Sequence, residues 1–290
     1  ISRQELAQAA GENLNALVAA GDRGAAVMTM ARGAAEIARR LYAEKKLDGI
    51  MGMGGSGNSS IAAAAMRELP VGVPKLIVST LASGDTRPYV GVSDVTMMYS
   101  VVDIAGINRV SERILSNAAA AIAGMATAYA AKKRASGARP LIGATMFGVT
   151  TPCVNAARAW LEEHGYEVLV FHATGTGGQS LEALVKGGFL AGVLDITTTE
   201  LADELVGGVL SAGPERLEAA GKLGVPQVVS LGALDMVNFG PLDSVPEKFR
   251  TRNLYQHNAT VTLMRTTPEE CAELGHLIAR KLNLATGPTV

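Results

Sequence analysis

Gly52-Met53-Gly54-Gly55-Ser56-Gly57-Asn58-Ser59-Ser60 is the stretch on which the reading of this chain turns. It is preceded by Leu47-Asp48-Gly49-Ile50-Met51, a short apolar strand pattern, and followed by the alanine-rich helix pattern Ile61 to Met66. Glycine lets backbone N–H groups approach a ligand closely, and a helix N-terminus offers unpaired donors at the positive end of its dipole. Kindred turns follow at Ser79-Thr80-Leu81-Ala82-Ser83-Gly84-Asp85-Thr86, Phe147-Gly148-Val149-Thr150-Thr151-Pro152, Ala173-Thr174-Gly175-Thr176-Gly177-Gly178-Gln179-Ser180 and Thr197-Thr198-Thr199-Glu200. One such turn is common. Several along one chain point to an anionic ligand, most simply a phosphate.

Working outward, the pattern alternates. Ser2-x-x-Glu5 has the form of a capping box, and Asp22 suits the cap of a long helix from about Arg23 to Lys46. Strands are expected at Ile50–Met53, Lys75–Thr80, Thr96–Asp103, Leu141–Met146, Glu167–Phe171, Ala191–Ile196, Gln227–Leu231 and Thr260–Met264. Helices are expected at Ser59–Glu68, Asn108–Lys133, Pro152–His164, Ser180–Lys186, Thr199–Leu205, Pro214–Leu223 and Pro268–Leu282, with each proline in a first turn. Ala135-Ser136-Gly137-Ala138-Arg139-Pro140 marks a boundary between domains 1–136 and 137–290. The expected fold is α/β: two Rossmann-like domains with mostly parallel sheets flanked by helices, and a ligand in the cleft between them.

Composition narrows the class. The 290 residues are 48% hydrophobic and 18% charged, which suits packed domains and not disorder. With 26 basic and 27 acidic residues and no basic run, a broad nucleic-acid surface is not expected. Ala118–Ala131 is apolar but short and ends in Lys132-Lys133-Arg134, so a buried helix is expected there and no membrane span. Cys153 and Cys271 are isolated, which fits a reducing cytoplasm. The opening at Ile1 and the close at Gly287-Pro288-Thr289-Val290, which resembles the entrance to another strand, read as a portion of a longer protein.

Gly52, Gly54 and Gly57 spell G-x-G-x-x-G between a strand and a helix. Dinucleotide binding would place an acidic residue at the end of the next strand, where Ser79 and Thr80 stand instead. No Gly-Lys-Ser/Thr follows, so this is not a Walker A loop. The plain alternative is a tight turn capped by Ser56 or Asn58, yet the glycines exceed what a cap requires. Gly54, Gly55, Ser56, Gly57 and Asn58 are therefore candidate phosphate ligands, joined by Thr80 and Ser83. In the second half the candidates are Gly175, Thr176, Gly177 and Gly178, with a flexible loop as the alternative. Thr150 and Thr151 suit a ligand or a helix cap; Thr199 reads as a cap with Glu200 placed for the dipole.

Asp103, Asp195 and Asp235 close strand patterns, and nucleotide-bound magnesium takes one or two protein carboxylates; Asp103 is the candidate ligand. His172, at a strand end, is the best-placed acid or base, whereas His164 and His276 fall within helices. Arg250 and Arg252 suit an anion grip or a solvated loop. Neither G-x-S-x-G nor a zinc spacing occurs.

Taken in order, these turns and Ser230-Leu231-Gly232-Ala233-Leu234-Asp235 resemble the family of the tomato tobamovirus-resistance protein, an inhibitor of viral RNA replication whose bacterial and fungal members are mostly uncharacterised. The resemblance spans nearly the whole chain. It implies an ATP-binding unit of two Rossmann-like domains, often a homodimer, with magnesium accompanying the nucleotide. Members usually begin with an additional strand and a Gly-Thr-Asp-Thr-Lys-like turn, which this chain lacks. The competing reading is an enzyme acting on a small phosphorylated or carboxylated metabolite, with His172 as acid/base and Arg250 or Arg252 as grip. A third is a regulatory binding module without turnover.

Overall fold

A computed structural model describes residues 1–131 and 137–290. The chain divides into two compact units, Ile1–Ala135 and Ser136–Val290. The expected boundary at 135–140 and the basic trio 132–134 lie partly or wholly outside the described residues.

The N-terminal unit opens with α1 (Arg3–Ala9), α2 (Leu14–Ala20) and α3 (Arg23–Ala43). Ser2 and Glu5 form the expected capping box, and Asp22 caps α3. The short α2 was not expected. Asn13 caps it, and Gly21, at φ +65°, ends it before α3 begins. Then β1 (Ile50–Gly54), α4 (Ser56–Arg67), β2 (Lys75–Ser79), α5 (Arg87–Val90), β3 (Thr96–Tyr99) and α6 (Arg109–Ala131) follow. The three strands pair in parallel in the order β1-β2-β3. Because β2 is covered on both faces, all five of its residues are buried. Its Lys75 spends its ammonium on Pro70 O, Val73 O and Asp94 Oδ1 at 2.7, 3.1 and 2.6 Å.

Two expectations change here. The strand at Thr96 stops at Tyr99, because Val101 takes φ +63° and the Ser100 hydroxyl donates to Val102 O, turning the chain. The helix expected over Asn108–Lys133 is described as far as Ala131 and is less buried than expected. Among the described residues α6 is long and apolar enough to cross a membrane by length and composition, and only 6% of its most apolar window is buried. One face nevertheless packs on the sheet, with Ala118 fully buried among Ile114, Leu115 and Ile122 against Leu76 and Val78.

The second unit contains β4 (Leu141–Met146), α7 (Thr151–Glu163), β5 (Glu167–His172), α8 (Thr176–Lys186), β6 (Gly192–Thr197), α9 (Thr199–Val206), α10 (Ala219–Lys222) and β7 (Gln227–Gly232). Its parallel sheet runs β5-β4-β6-β7. Residues Pro288–Val290 add to the edge, with Gln227 N donating to Pro288 O and Val290 N to Gln227 O. The remaining elements are β8 (Met236–Phe239), β9 (Leu254–Asn258), β10 (Val261–Arg265) and α11 (Pro268–Leu282). These strands form an antiparallel sheet, β8-β10-β9, of which only β10 was expected. It packs with α9 and α11 around Leu201, Val237, Phe239, Met264, Leu274 and Ile278. The helix expected over Pro214–Leu223 shrinks to α10, since Leu217 takes φ +71° and Arg216 turns fully inward.

In the N-terminal unit β1 and α4 approach each other closely at Gly52, where a side-chain carbon would stand 2.3 Å from Ala62 Cβ. Gly52→Ala is expected to cost about 2 kcal/mol by overpacking. Adding Ala62→Gly should recover part of that loss, as read by urea unfolding of both variants.

Candidate functional site

In the second unit β5 lies on one side of β4 and β6 on the other, so the chain changes direction at the carboxyl ends of β4 and β6, the usual ligand crevice of an open parallel sheet. Threonines line this point. Thr150 Oγ1 and Thr197 Oγ1 are 2.7 Å apart, and Thr197 N donates to Thr145 Oγ1 at 2.9 Å. Thr145 Oγ1 in turn donates to Asp195 Oδ1 at 2.7 Å. Thr150 is the residue before α7 but makes no side-chain cap; its hydroxyl instead accepts from Phe147 N at 2.9 Å. Thr151 Oγ1 donates to Phe147 O at 3.0 Å. Thr198, not Thr199, precedes α9, and the fully buried Thr199 hydroxyl has no partner.

Behind the threonines stands Arg216, fully buried. It grips both oxygens of Asp195 at 2.5 and 2.7 Å and donates through Nε to Glu200 Oε2 at 2.7 Å. Glu182 lies 3.7 Å away and caps the approach to α10, accepting from Leu217 N and Ala219 N at 2.6 and 2.8 Å. Burial pushes the Glu182 and Glu200 carboxyls above their ordinary value, against the pull of Arg216 and of the backbone donors. Asp195 was weighed as a magnesium ligand and Glu200 as a helix-dipole residue. The structure gives both to the guanidinium.

This changes what the glycines of the Gly175–Gly178 turn do. Glu200 Oε1 accepts from Gly175 N at 2.7 Å and from Gly178 N at 3.0 Å, so the protein's own carboxylate occupies two donors of the α8 N-terminus. A side chain at Gly178 would meet Glu200 Oε2 at 2.1 Å, and one at Gly177 would meet His172 O at 1.8 Å. Gly175 has φ +87° and lies against Ser211 O. Thr176 is exposed and starts the helix four residues earlier than the sequence suggested. His172 is exposed at the end of β5, its ring 5.4 Å from that of Phe147.

In the N-terminal unit the turn at Gly54–Asn58 is arranged differently. Gly54 has φ +144°, and a side chain there would meet Asn58 Cβ at 2.6 Å. The residue before α4 is Gly55, with no side-chain cap, so neither Ser56 nor Asn58 caps the helix. Ser56 and Asn58 are exposed, and around Gly57 there is room, with Val27 Cγ2 the nearest atom at 3.7 Å. Thr80 follows β2; its N–H donates to Gly54 O at 3.2 Å and its hydroxyl faces Gly55. Beneath them Ser59 Oγ and Ser79 Oγ are 2.8 Å apart, joining the ends of β1 and β2. Ser83 is exposed in the next turn. Asp103 is exposed beyond β3 and accepts from Ile104 N at 2.8 Å. Among the described residues no group of three His, Cys, Asp or Glu side chains is placed to hold a metal.

The two arginines weighed as an anion grip are paired: Arg252 with Glu270 at 3.0 and 2.8 Å, Arg250 with Glu247 at 3.1 Å.

A sequence-silent feature lies on α9. Asp203 is fully buried and accepts from Asn238 N, Asn238 Nδ2 and Leu210 N at 3.0, 2.8 and 3.2 Å, tying the helix to β8. Desolvation raises its carboxyl from 3.8 to about 6. A carboxyl raised in the folded state stabilises below its unfolded value, and that stability is lost as pH rises through the folded one. Asp203, Glu182 and Glu200 share this sign. The unit should therefore lose up to about 3 kcal/mol between roughly pH 4 and pH 7 on account of Asp203, and Asp203→Asn should flatten the slope of urea midpoint against pH.

A two-unit α/β protein with glycine- and hydroxyl-rich turns at its parallel strand ends is thus the class that fold and site define. Comparison gives the family. The N-terminal domain of the uncharacterised protein family UPF0261 matches residues 1–131 and its C-terminal domain matches residues 139–290, and the chain belongs to that family. A UPF0261 protein of Clostridium tetani is 59% identical over 289 residues, covering 100% of this chain and 71% of the relative. One from Rhizobium meliloti is 54% identical, covering 94% and 67%. The ToMV resistance protein Tm-1(GCR237) of Solanum lycopersicum is 49% identical over 267 residues, which is 91% of this chain and 35% of the tomato protein.

Proposed function

We propose that this chain binds a nucleotide, ATP with magnesium, and that the turn Gly54-Gly55-Ser56-Gly57-Asn58 holds its phosphates through backbone N–H groups. The observation that carries this reading is the uncapped start of α4: among the described residues no side chain caps its first donors, and the two polar side chains of the turn are exposed. Thr80 and Ser83 flank it from the next strand end, and Asp103, exposed beyond the third, supplies a carboxylate for magnesium. In the second unit Thr176, Gly177, Thr150 and Thr151 remain candidates, while Gly175 and Gly178 have spent their N–H groups on Glu200. That the nucleotide is ATP and that the protein is a homodimer rest on the family resemblance, and a cytoplasmic setting rests on the isolated Cys153 and Cys271. The antiviral property in the tomato protein's name stays with that protein.

The competing reading, an enzyme of a small phosphorylated or carboxylated metabolite, has in its favour His172 exposed at a strand end. Of its two candidate grips, Arg252 is committed to Glu270, which leaves Arg250 in an exposed pair with Glu247.

Isothermal titration with ATP and magnesium tests the proposal. Gly57→Ala places a methyl where only ordinary contact with Val27 awaits it, so the unfolding midpoint should stay near that of the native chain. Its affinity should fall at least about tenfold, or about 1.4 kcal/mol. Absence of binding by the native chain removes the reading, and equal binding by both proteins moves the site elsewhere. Stabilisation by a sugar phosphate with indifference to ATP would favour the enzyme.

A further inference from the structure

The buried guanidinium of Arg216 stands at the centre of an unbroken hydrogen-bonded path. In one direction it runs through Asp195 to Thr145, from Thr145 to Thr197, and from Thr197 to Thr150. The Thr150 and Thr197 hydroxyls share one contact at 2.7 Å, and each also reaches a carbonyl, Thr150 that of Phe147 and Thr197 that of Thr145, both at 3.1 Å. Thr150 Oγ1 accepts from Phe147 N, which fixes the turn after β4. In the other direction the path runs through Glu200 to Gly175 N and Gly178 N, which fix the turn after β5. Every member from Thr145 to Glu200 is buried.

We propose that Arg216 is the positioning residue of this strand-end edge, and that the Phe147–Thr151 and Gly175–Gly178 turns order and loosen together through it. A buried charge network tolerates partial satisfaction poorly, because each unpaired charge or donor bears the full cost of desolvation. Asp195 cannot shift away from Arg216 without leaving the guanidinium half-satisfied beside Glu200. Glu200 cannot turn without stranding Gly175 N and Gly178 N. The two turns are neighbours on adjacent strands, and beside their local bonds each is held by a side-chain path that leads back to the same guanidinium. This coupling is independent of whether a nucleotide binds.

Amide hydrogen exchange of the full chain, followed by mass spectrometry, tests it. Thr150→Val removes one hydroxyl at the far end of the path and leaves Arg216 and Glu200 untouched. The peptide containing Gly175 and Gly178 should then exchange at least about tenfold faster, while α11 and β7 keep native rates. Thr150→Ser should restore the native rate. Glu200→Gln should give the reciprocal result, accelerating the Phe147–Thr151 peptide. Arg216→Lys should loosen both turns, since an ammonium cannot span both carboxylates. Acceleration confined to each variant's own turn overturns the proposal. So does a uniform rise that includes α11 and β7, which would mark a loss of global stability and not a shared hinge. Should Arg216→Lys fail to fold, the Thr150 and Glu200 variants decide alone.

Discussion

The second unit is organised around one guanidinium, held among the carboxylates of Asp195, Glu200 and Glu182 with no exposed surface of its own. An ion of that kind is costly to bury and is tolerated only when every donor finds a partner. Much of the local structure follows from that demand. Leu217 adopts positive φ, so the chain leaves the helical path that Pro214 would otherwise have started. Gly178 has no side chain because Glu200 and Arg216 occupy the space. The turn after β5 is a glycine-rich anion hole whose anion belongs to the protein.

That internal carboxylate separates two turns that look alike as sequence. Gly54–Asn58 and Gly175–Gly178 both follow a strand, both open a helix and both are rich in glycine. In the second, two donors are spent on Glu200; in the first, the helix start has no side-chain cap at all. Nor do the glycines serve one purpose. Gly52 admits Ala62, Gly54 takes a left-handed backbone against Asn58, and Gly55 and Gly57 meet only ordinary contacts with Thr80 and Val27.

What the sequence disclosed was mostly local. The caps at Ser2 and Asp22 were legible because donor and acceptor lie three residues apart, and β4 and α11 were bounded correctly because a strand pattern and a helix with proline in its first turn carry their own signals. The α/β class followed from alternation. The antiparallel sheet did not: β8 is four residues long and buried throughout, so it shows no alternation, and its tie to Asp203 spans 35 positions. Arg216, within the helix expected over Pro214–Leu223, likewise gave no signal, because its partners stand 16 and 21 residues upstream. Asp195 was weighed as a metal ligand and Glu200 as a dipole residue for the same reason: a carboxylate at a strand end or in a helix's first turn looks available until its partner is seen.

The central claim is that the N-terminal unit's glycine turn is open to a phosphate while the equivalent turn of the second unit is filled from within. Amide resonances of the 15N-labelled protein, followed while ATP and magnesium are added, test it most directly. The account predicts saturable shifts at Ser56, Gly57 and Asn58 and unchanged amides at Gly175 and Gly178. Shifts at Gly175 and Gly178 with a silent Ser56–Asn58 segment would contradict it.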